Sequence, residues 1–391
     1  MTVKELLQRL TARRHSTQYR RLRARGHSEA GRVAVDGKQY WQFASNDYLA
    51  VNDHPQLRQL AAQAVLQWGS GSGGSPLVTG HSTAHQALQE RLQQWLGSEH
   101  VLLMSSGFAA NQACLALLPE TDEKIFADRL VHASLISGMQ QSGKRFRRFR
   151  HNDTSQLQQW LHREPSNIGK WIVSEGVFSM DGDQAPVAEL IRLARQYQAR
   201  LLLDDAHGIG ALGEAGRGIV APHKMPNDAV YTATFGKALG CHGAFIGADA
   251  ETIDAIQQFA PEYIYSTAMP ASQAAFLLEV ISWLVTAEGI EARQRLQQNI
   301  HRMRQLFEHF GIATVASESA IQVAIMGSSE NANRCAEVMR EQGVWAVAIR
   351  PPTVAEGSAR VRFCVSAAHG NEAFAALERG FKVLRDEGIQ H

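Results

Sequence analysis

Two short runs hold residues whose types and spacing can do chemistry. Leu201-Leu202-Leu203-Asp204-Asp205-Ala206-His207-Gly208 is an apolar run that delivers an acid and a histidine. Further along, Ala233-Thr234-Phe235-Gly236-Lys237-Ala238-Leu239-Gly240 sets a lysine among small residues. An amine that condenses with an aldehyde, and a carboxylate that keeps a pyridine nitrogen protonated, are what pyridoxal 5'-phosphate demands of a protein. Each residue alone has an ordinary fate. Most lysines are solvated on a surface, and a lone strand-end acid is usually satisfied by backbone amides. The pairing of the two runs favours the cofactor.

Other patterns carry less. Gly69-Ser70-Gly71-Ser72-Gly73-Gly74 formally matches a dinucleotide fingerprint, but it follows a predicted helix, Leu57–Trp68, where the fingerprint needs a strand. A flexible loop and a loop that closes over a cofactor or substrate phosphate both stay open. No glutamate follows His81, so His81 and His85 do not make a zinc-protease helix, and no metal site is expected. Lys144-Arg145-Phe146-Arg147-Arg148-Phe149-Arg150 interleaves bases with aromatics as a nucleic-acid patch would. Its two phenylalanines can equally anchor a basic strand or turn.

The 391 residues are 45% hydrophobic and 20% charged, with a formal net charge of +1. Such a chain has material for a sizeable core and no overall pull toward nucleic acid or an anionic membrane. Cys114, Cys241, Cys335 and Cys364 lie far apart, which suits a reducing cytoplasm better than a disulfide framework or a structural zinc site. No apolar stretch approaches the roughly 18 residues of a membrane span. The arginine-rich N-terminus resembles a transit peptide. Its Val3, Leu6, Leu7 and Leu10 have helical spacing, however, and nothing like a cleavage site follows, so a docked amphipathic helix is expected.

The motif residues need elements to position them. Strands are predicted at Val101–Met104, Ile125–Asp128, Trp171–Glu175, Leu201–Asp204, Ala229–Thr232 and Ala244–Gly247, alternating with helices such as His85–Leu96 and one from near Phe108. Short, nearly continuous apolar strands between helices predict an α/β fold with a large, mainly parallel sheet covered on both faces. Ligand sites in such sheets collect at the carboxyl ends of strands. Gly107, Glu175, Asp204 and His207 do follow or end predicted strands. One long helical stretch is expected from Ala268 to Phe310, and then a smaller C-terminal α/β domain. Its strands are predicted at Ile321–Met326, Trp345–Ile349 and Arg360–Val365, and its helices at Ala332–Gln342 and Asn371–Glu387. The expected organisation is an N-terminal helix and arm over 1–50, a large cofactor-binding domain over 51–285 and a small domain over 286–391.

Several blocks along nearly the whole chain carry a family resemblance. They include Ser45-Asn46-Asp47-Tyr48-Leu49, Gly71-Ser72-Gly73-Gly74-Ser75, Ser106-Gly107-Phe108-Ala109-Ala110-Asn111 and His132-Ala133-Ser134. Glu175-Gly176-Val177-Phe178-Ser179-Met180-Asp181-Gly182 and the two opening runs complete the set. On these the chain resembles the α-oxoamine synthases, pyridoxal phosphate enzymes of aminotransferase-like fold type I. The resemblance implies that Lys237 holds the cofactor and serves as base, and that Asp204 pairs with the ring nitrogen. It further implies that His132 stacks on the ring and contacts substrate, while His207 hydrogen-bonds the phenolic oxygen. Gly107, Phe108 and Thr234 are similar to phosphate-contacting positions, and Ser179 to one lining the pocket. Thr267 resembles a hydroxyl that reaches the phosphate from the second subunit of a homodimer. Arg362 resembles the arginine that grips an amino-acid carboxylate, and Arg20, Asn46, Glu175 and Thr353 resemble other substrate contacts.

Ala348-Ile349-Arg350-Pro351-Pro352-Thr353-Val354, followed by Ala359-Arg360-Val361-Arg362, resembles one branch of that family. This branch condenses L-alanine with a pimeloyl thioester, on coenzyme A or an acyl carrier protein, with loss of carbon dioxide. Ala50, Ile209 and Ala355 depart from the Gly, Thr and Pro common at those places. They remove no group the cofactor needs, and they bear on the substrate loops and acyl donor. A relative using glycine with acetyl-CoA or succinyl-CoA stays open, as does a non-catalytic binding or regulatory protein on the same fold.

Overall fold

Two-residue turns at positive φ shape the start of the chain. Ala30-Gly31 (φ 49° and 75°) and Asp36-Gly37 (φ 50° and 77°) reverse the backbone with a twist that matches antiparallel strands. They join β1 (Arg25–Glu29), β2 (Arg32–Val35) and β3 (Lys38–Gln42) into a meander where the sequence pattern predicts only an arm. The computed structural model describes residues 2–14, 19 and 22–389. The chain divides into two units, Asn46–Leu296 and Met1–Ser45 with Gln297–His391. The N-terminal helix forms over Val3–Arg14, but Val3, Leu6, Leu7 and Leu10 remain 37–74% exposed. Its expected docking is therefore corrected. Spacing is enough to make a helix, and the four apolar residues find no cover among the chain's described residues.

In the Asn46–Leu296 unit the apolar runs become β4 (His100–Met104), β5 (Lys124–Asp128), β6 (Phe146–Phe149), β7 (Lys170–Glu175), β8 (Ala199–Asp204), β9 (Val230–Thr234) and β10 (Ala244–Ala248). Their order in the sheet is β4-β10-β9-β8-β7-β5-β6, with β10 antiparallel to its neighbours and the other pairs parallel. Alternate residues feed two cores. Ile125, Ala127, Trp171, Val173 and Leu202 share one with the helices Gly107–Leu117 and Ala133–Gln141. Phe126, Ile172, Leu201 and Leu203 share the other with Thr154–Arg163 and Val187–Tyr197. Each large apolar side chain so buried contributes about 1.5–3 kcal/mol. A slip of one residue would exchange the two sets, so packing fixes where each strand ends.

The basic run is the edge strand β6. Phe149 is buried, Arg147 and Arg148 are exposed, and the Arg147 guanidinium lies 3.9 Å over the Trp160 ring. Charges on an edge strand discourage pairing with another sheet.

The long helical stretch is broken into Ala271–Leu284 and Ala287–Phe310. Thr286 causes the break: its hydroxyl donates to the Trp283 carbonyl (2.7 Å) and accepts the Gly289 N–H (3.3 Å). That is an N-cap, and it starts a new helix. A Cβ on Gly289 would sit 2.2 Å from the Trp283 carbonyl.

In the other unit β11 (Ile321–Gly327), β12 (Val344–Trp345), β13 (Val347–Ile349) and β14 (Ala359–Cys364) belong to two sheets. β11-β14-β13 is antiparallel, whereas β12 runs parallel to β3. The expected single strand Trp345–Ile349 is thus divided at Ala346. Bonds from Trp41 N–H to Gly343 O (2.8 Å) and Phe43 N–H to Trp345 O (2.9 Å) draw its first part to β3. Among the described residues no single helix is long and apolar enough to cross a membrane.

Candidate active site

Because all strands but β10 run the same way, β4, β5, β7, β8 and β9 end on one edge of the sheet. Register puts the last residues of β7 and β8 side by side. Glu175, ending β7, lies opposite Asp204, ending β8, and Asp204 pairs in turn with Thr232 on β9.

Asp204 is 6% exposed and aimed by two donors. Asn111 Nδ2–H donates to its Oδ2 (2.6 Å) and the Ala206 N–H to its Oδ1 (2.9 Å). Asn111 is itself buried, and both ends of its amide are engaged. Nδ2 also donates to Ser134 Oγ (2.9 Å), and Oδ1 accepts from the Thr232 hydroxyl (2.7 Å). Asp205, the next residue, faces elsewhere: the Tyr231 hydroxyl and the Ile219 N–H both donate to its Oδ2 at 2.8 Å. Burial pushes the Asp205 carboxyl up to about 7.

His132 caps the helix Ala133–Gln141. Its Nδ1 accepts the Ser134 N–H (3.2 Å) and lies 2.7 Å from the Ser134 hydroxyl. A backbone N–H can only donate, so a neutral ring carries its proton on Nε2. Burial lowers the imidazole below its usual value; the Asp204 charge opposes this and the Lys237 charge adds to it. Glu175 is driven well above the usual carboxylate range by burial and then by Asp204, against Lys237 and the N–H groups of Ser179 and His132. Its Oε2 accepts the Ser179 N–H (3.3 Å), and its buried Oε1 has no hydrogen-bond partner among the described residues. His207, 5% exposed, places Nδ1 2.7 Å from the Tyr48 hydroxyl, which lies 3.3 Å from Asn46 Oδ1.

Lys237 follows β9 in a turn that Thr234 builds. The Thr234 hydroxyl donates to Gly243 O (2.8 Å) and accepts the Gly236 N–H (3.2 Å). Its one proton is thereby engaged in the turn. Gly107 adjoins this threonine: a Cβ there would lie 3.6 Å from Thr234 Cβ. Phe108 sets its ring edge-on to His132, with centroids 6.4 Å apart. Ser106 Oγ takes the Ala109 N–H (3.1 Å), which leaves the first N–H groups of the helix, on Gly107 and Phe108, suited to an anion.

These residues fit pyridoxal phosphate by their chemistry. The site offers an amine, a carboxylate of fixed direction, an orphan buried carboxyl oxygen and a helix N-terminus. Ser179 stands half-buried in the loop after Glu175. Thr267 is exposed, next to Ala268, whose N–H donates to Gly74 O (3.0 Å) and pins the glycine-rich loop. Arg362, half-buried on β14, and Thr353, exposed, belong to the other unit, and Arg20 lies outside the described residues. His85 caps the helix Thr83–Leu96, accepting the Ser82 N–H at Nδ1 (3.1 Å), with Nε2 2.8 Å from Met269 O. No group of three or more potential metal ligands occurs among the described residues.

Asn111, Ser134 and Tyr48 were not singled out by their types, since an amide, a hydroxyl and a phenol have many ordinary uses. All three do fall within the blocks that carry the family resemblance, and Asn111 further stands out as a polar residue in the otherwise apolar start of a helix, Gly-Phe-Ala-Ala-Asn.

Residues 38–377 match the family model described as aminotransferase class I and II. The 8-amino-7-oxononanoate synthase of Salmonella schwarzengrund (strain CVM19633) is 43% identical over 379 residues, covering 97% of each chain, and the enzyme of that name from Salmonella typhi matches equally. Among solved structures, a serine palmitoyltransferase from S. paucimobilis with bound PLP and myriocin is similar at TM-score 0.88 and 26% identity, over 94% of this chain and 93% of that one. An 8-amino-7-oxononanoate synthase from Francisella tularensis is similar at TM-score 0.76 and 27% identity, over 89% and 98%.

Proposed function

The chain belongs to the aminotransferase class I and II family, and we propose that its site joins L-alanine to a pimeloyl thioester, giving 8-amino-7-oxononanoate, carbon dioxide and the free thiol carrier. It is a pyridoxal 5'-phosphate-dependent acyltransferase of fold type I, serving biotin biosynthesis. The observation that carries the reading at the level of chemistry is one of convergence. Glu175 and Asp204 end neighbouring strands, Asn111 joins Asp204 to the Ser134 hydroxyl beside His132, and Lys237 lies in the turn after the next strand.

When bound, pyridoxal phosphate supplies an electron sink for the pair left at the amino-acid α-carbon when a proton or carboxylate departs. Lys237 Nζ would hold its aldehyde carbon, Asp204 its ring nitrogen, His207 its phenolic oxygen and His132 the face of its ring. The N–H groups of Gly107 and Phe108 would hold its phosphate, beside Thr234 and a second subunit's Thr267, with Ser179 lining the pocket. Asn111 and Ala206 keep Asp204 from turning away, so its direction needs no adjustment when a ligand arrives. Once released, Lys237 Nζ takes the α-proton of alanine and later returns one. Glu175 accepts the Ser179 N–H at Oε2, and burial raises its carboxyl above the usual carboxylate range. On the family resemblance, the substrate contacts proposed are Arg20, Asn46, His132, Glu175, Thr353 and Arg362. We also propose a cytoplasmic homodimer.

A matrix of amino acids against acyl thioesters, read by thiol release and carbon dioxide, tests this. Alanine with pimeloyl-CoA or a pimeloyl carrier protein should turn over fastest, and comparing those two identifies the carrier. Glycine outpacing alanine would replace the reading with the acetyl-CoA or succinyl-CoA branch. Sedimentation of the loaded protein as a monomer would remove the dimer.

A further inference from the structure

His151 lies just beyond edge strand β6, outside the machinery described above. Its Nδ1 is 2.9 Å from Asp128 Oδ1 and its Nε2 2.7 Å from Asp183 Oδ2. A neutral imidazole has one N–H, so a ring donating to both carboxylates is an imidazolium. The two acids belong to different loops. Asp128, fully buried at the end of β5, also accepts the N–H groups of Leu130 (2.8 Å) and Asn152 (2.7 Å) and begins the loop that leads to His132. Asp183 closes the loop after β7, where Phe178 N–H donates to Asp183 O (2.9 Å) and Val177 bridges Gln184. Ser179, which binds Glu175, stands in that loop. Asn152 repeats the tie, Nδ2 donating to Asp183 Oδ2 (2.9 Å) and Gln184 O (3.2 Å). Phe178 seats the ring edge-on, with centroids 4.4 Å apart.

We propose that His151 is a positioning residue, whose ring fastens the loop carrying His132 to the loop carrying Ser179 at the spacing the cofactor needs. This rests on the reading that His132, Glu175 and Ser179 line the cofactor site. Burial acts to lower the His151 ring, but the hydrogen bonds and charges of Asp128 and Asp183 outweigh it and raise the ring to about 9. Those two acids are the charged groups acting on it from the packed loops, while on its own segment Arg150 pairs with Asp153 at 2.7 Å. The ring therefore keeps its charge at neutral pH and releases its hold as pH rises through about 9.

The test compares the wild type with His151→Gln, which keeps bulk and one donor without charge, and with Asp183→Asn, which spares the ring should the first variant fail to fold. Each protein is titrated with pyridoxal phosphate by fluorescence and visible circular dichroism, and amide exchange is followed in 129–134 and 176–184. Both variants should weaken the cofactor at least about tenfold, the loss expected of a charged hydrogen bond, and reduce the visible dichroic band. Exchange should quicken in both loops together. The wild-type affinity should fall as pH rises through about 9, a step absent from His151→Gln. Unchanged affinity and dichroism in variants that merely melt earlier would overturn the proposal, as would exchange that quickens in one loop alone. A wild type that takes up no cofactor would overturn the site reading and this proposal with it. The exchange data would still report separately whether the two loops are tied.

Discussion

The two edges of the large sheet treat polar groups in opposite ways. Beside the start of β9 and the end of β10 lies a cavity of about 420 Å³ whose lining includes Arg217, His223, Lys224, Asn227 and Tyr231. Lys224 and Asn227 there are exposed, and Arg217 is paired with Glu214 at 2.8 Å. At the carboxyl edge Asn111, Glu175, Asp204 and His207 are only 2–6% exposed, and named donors or acceptors set their directions. Room alone does little chemistry. Desolvated groups of fixed orientation do, because their charges are felt at full strength and need no rearrangement during reaction.

The comparison can be broken most severely at Lys237. Lys237→Ala should lower turnover about 10⁴-fold, the upper range for a removed acid–base group, measured by thiol release with alanine and pimeloyl-CoA. Retention of more than a tenth of the activity would detach that edge from catalysis. Asp204→Asn keeps the shape and removes the charge, and about a 10²–10³-fold fall in kcat is expected, as for other preorganised electrostatic groups. Asn111→Ala leaves Asp204 in place but frees its direction. A loss nearer tenfold, in line with one buried hydrogen bond to a charged group, would rank aim below charge.

Stability against pH sharpens the same contrast. The folded His151 value of about 9 stands above its ordinary 6.5. Its contribution is therefore fully present below about 6.5 and is lost as pH rises through about 9. Thermal unfolding followed from neutral to alkaline pH should show a steeper decline in wild type than in His151→Gln; parallel curves would count against the ring's charge. The smallest effect belongs to the amino edge. Lys224→Ala with Asn227→Ala should leave kcat within about twofold and stability within about 0.5 kcal/mol, as for exposed substitutions generally. A large loss of turnover there would erase the distinction between the edges.

Much of the fold was legible because apolar runs of strand length leave few alternatives. The predicted β7 and β8 end at the residues where the structure ends them, Glu175 and Asp204. The predicted β9 stops short at Thr232, whereas the strand runs on to Thr234. The N-terminal meander was missed because Arg25–Glu29 shows no apolar alternation, and its strand pairing is a matter of backbone register. The helix break at 285–286 was missed because apolar spacing continues across it, and the signal was the single cap Thr286.

By itself the sequence determined which groups exist and near which strand ends they fall: Lys237, Asp204, His132, His207 and Glu175 are local facts of residue type and apolar pattern. Only the tertiary structure decided their directions. It turned Asp204 toward Asn111, 93 positions away, and its neighbour Asp205 toward Tyr231. It set the proton of a neutral His132 on Nε2 through Ser134, and it clamped His151 between Asp128 and Asp183. The reason is physical. Hydrophobic periodicity specifies which face of an element is buried, whereas the aim of a buried polar group depends on hydrogen-bond partners brought from distant parts of the chain.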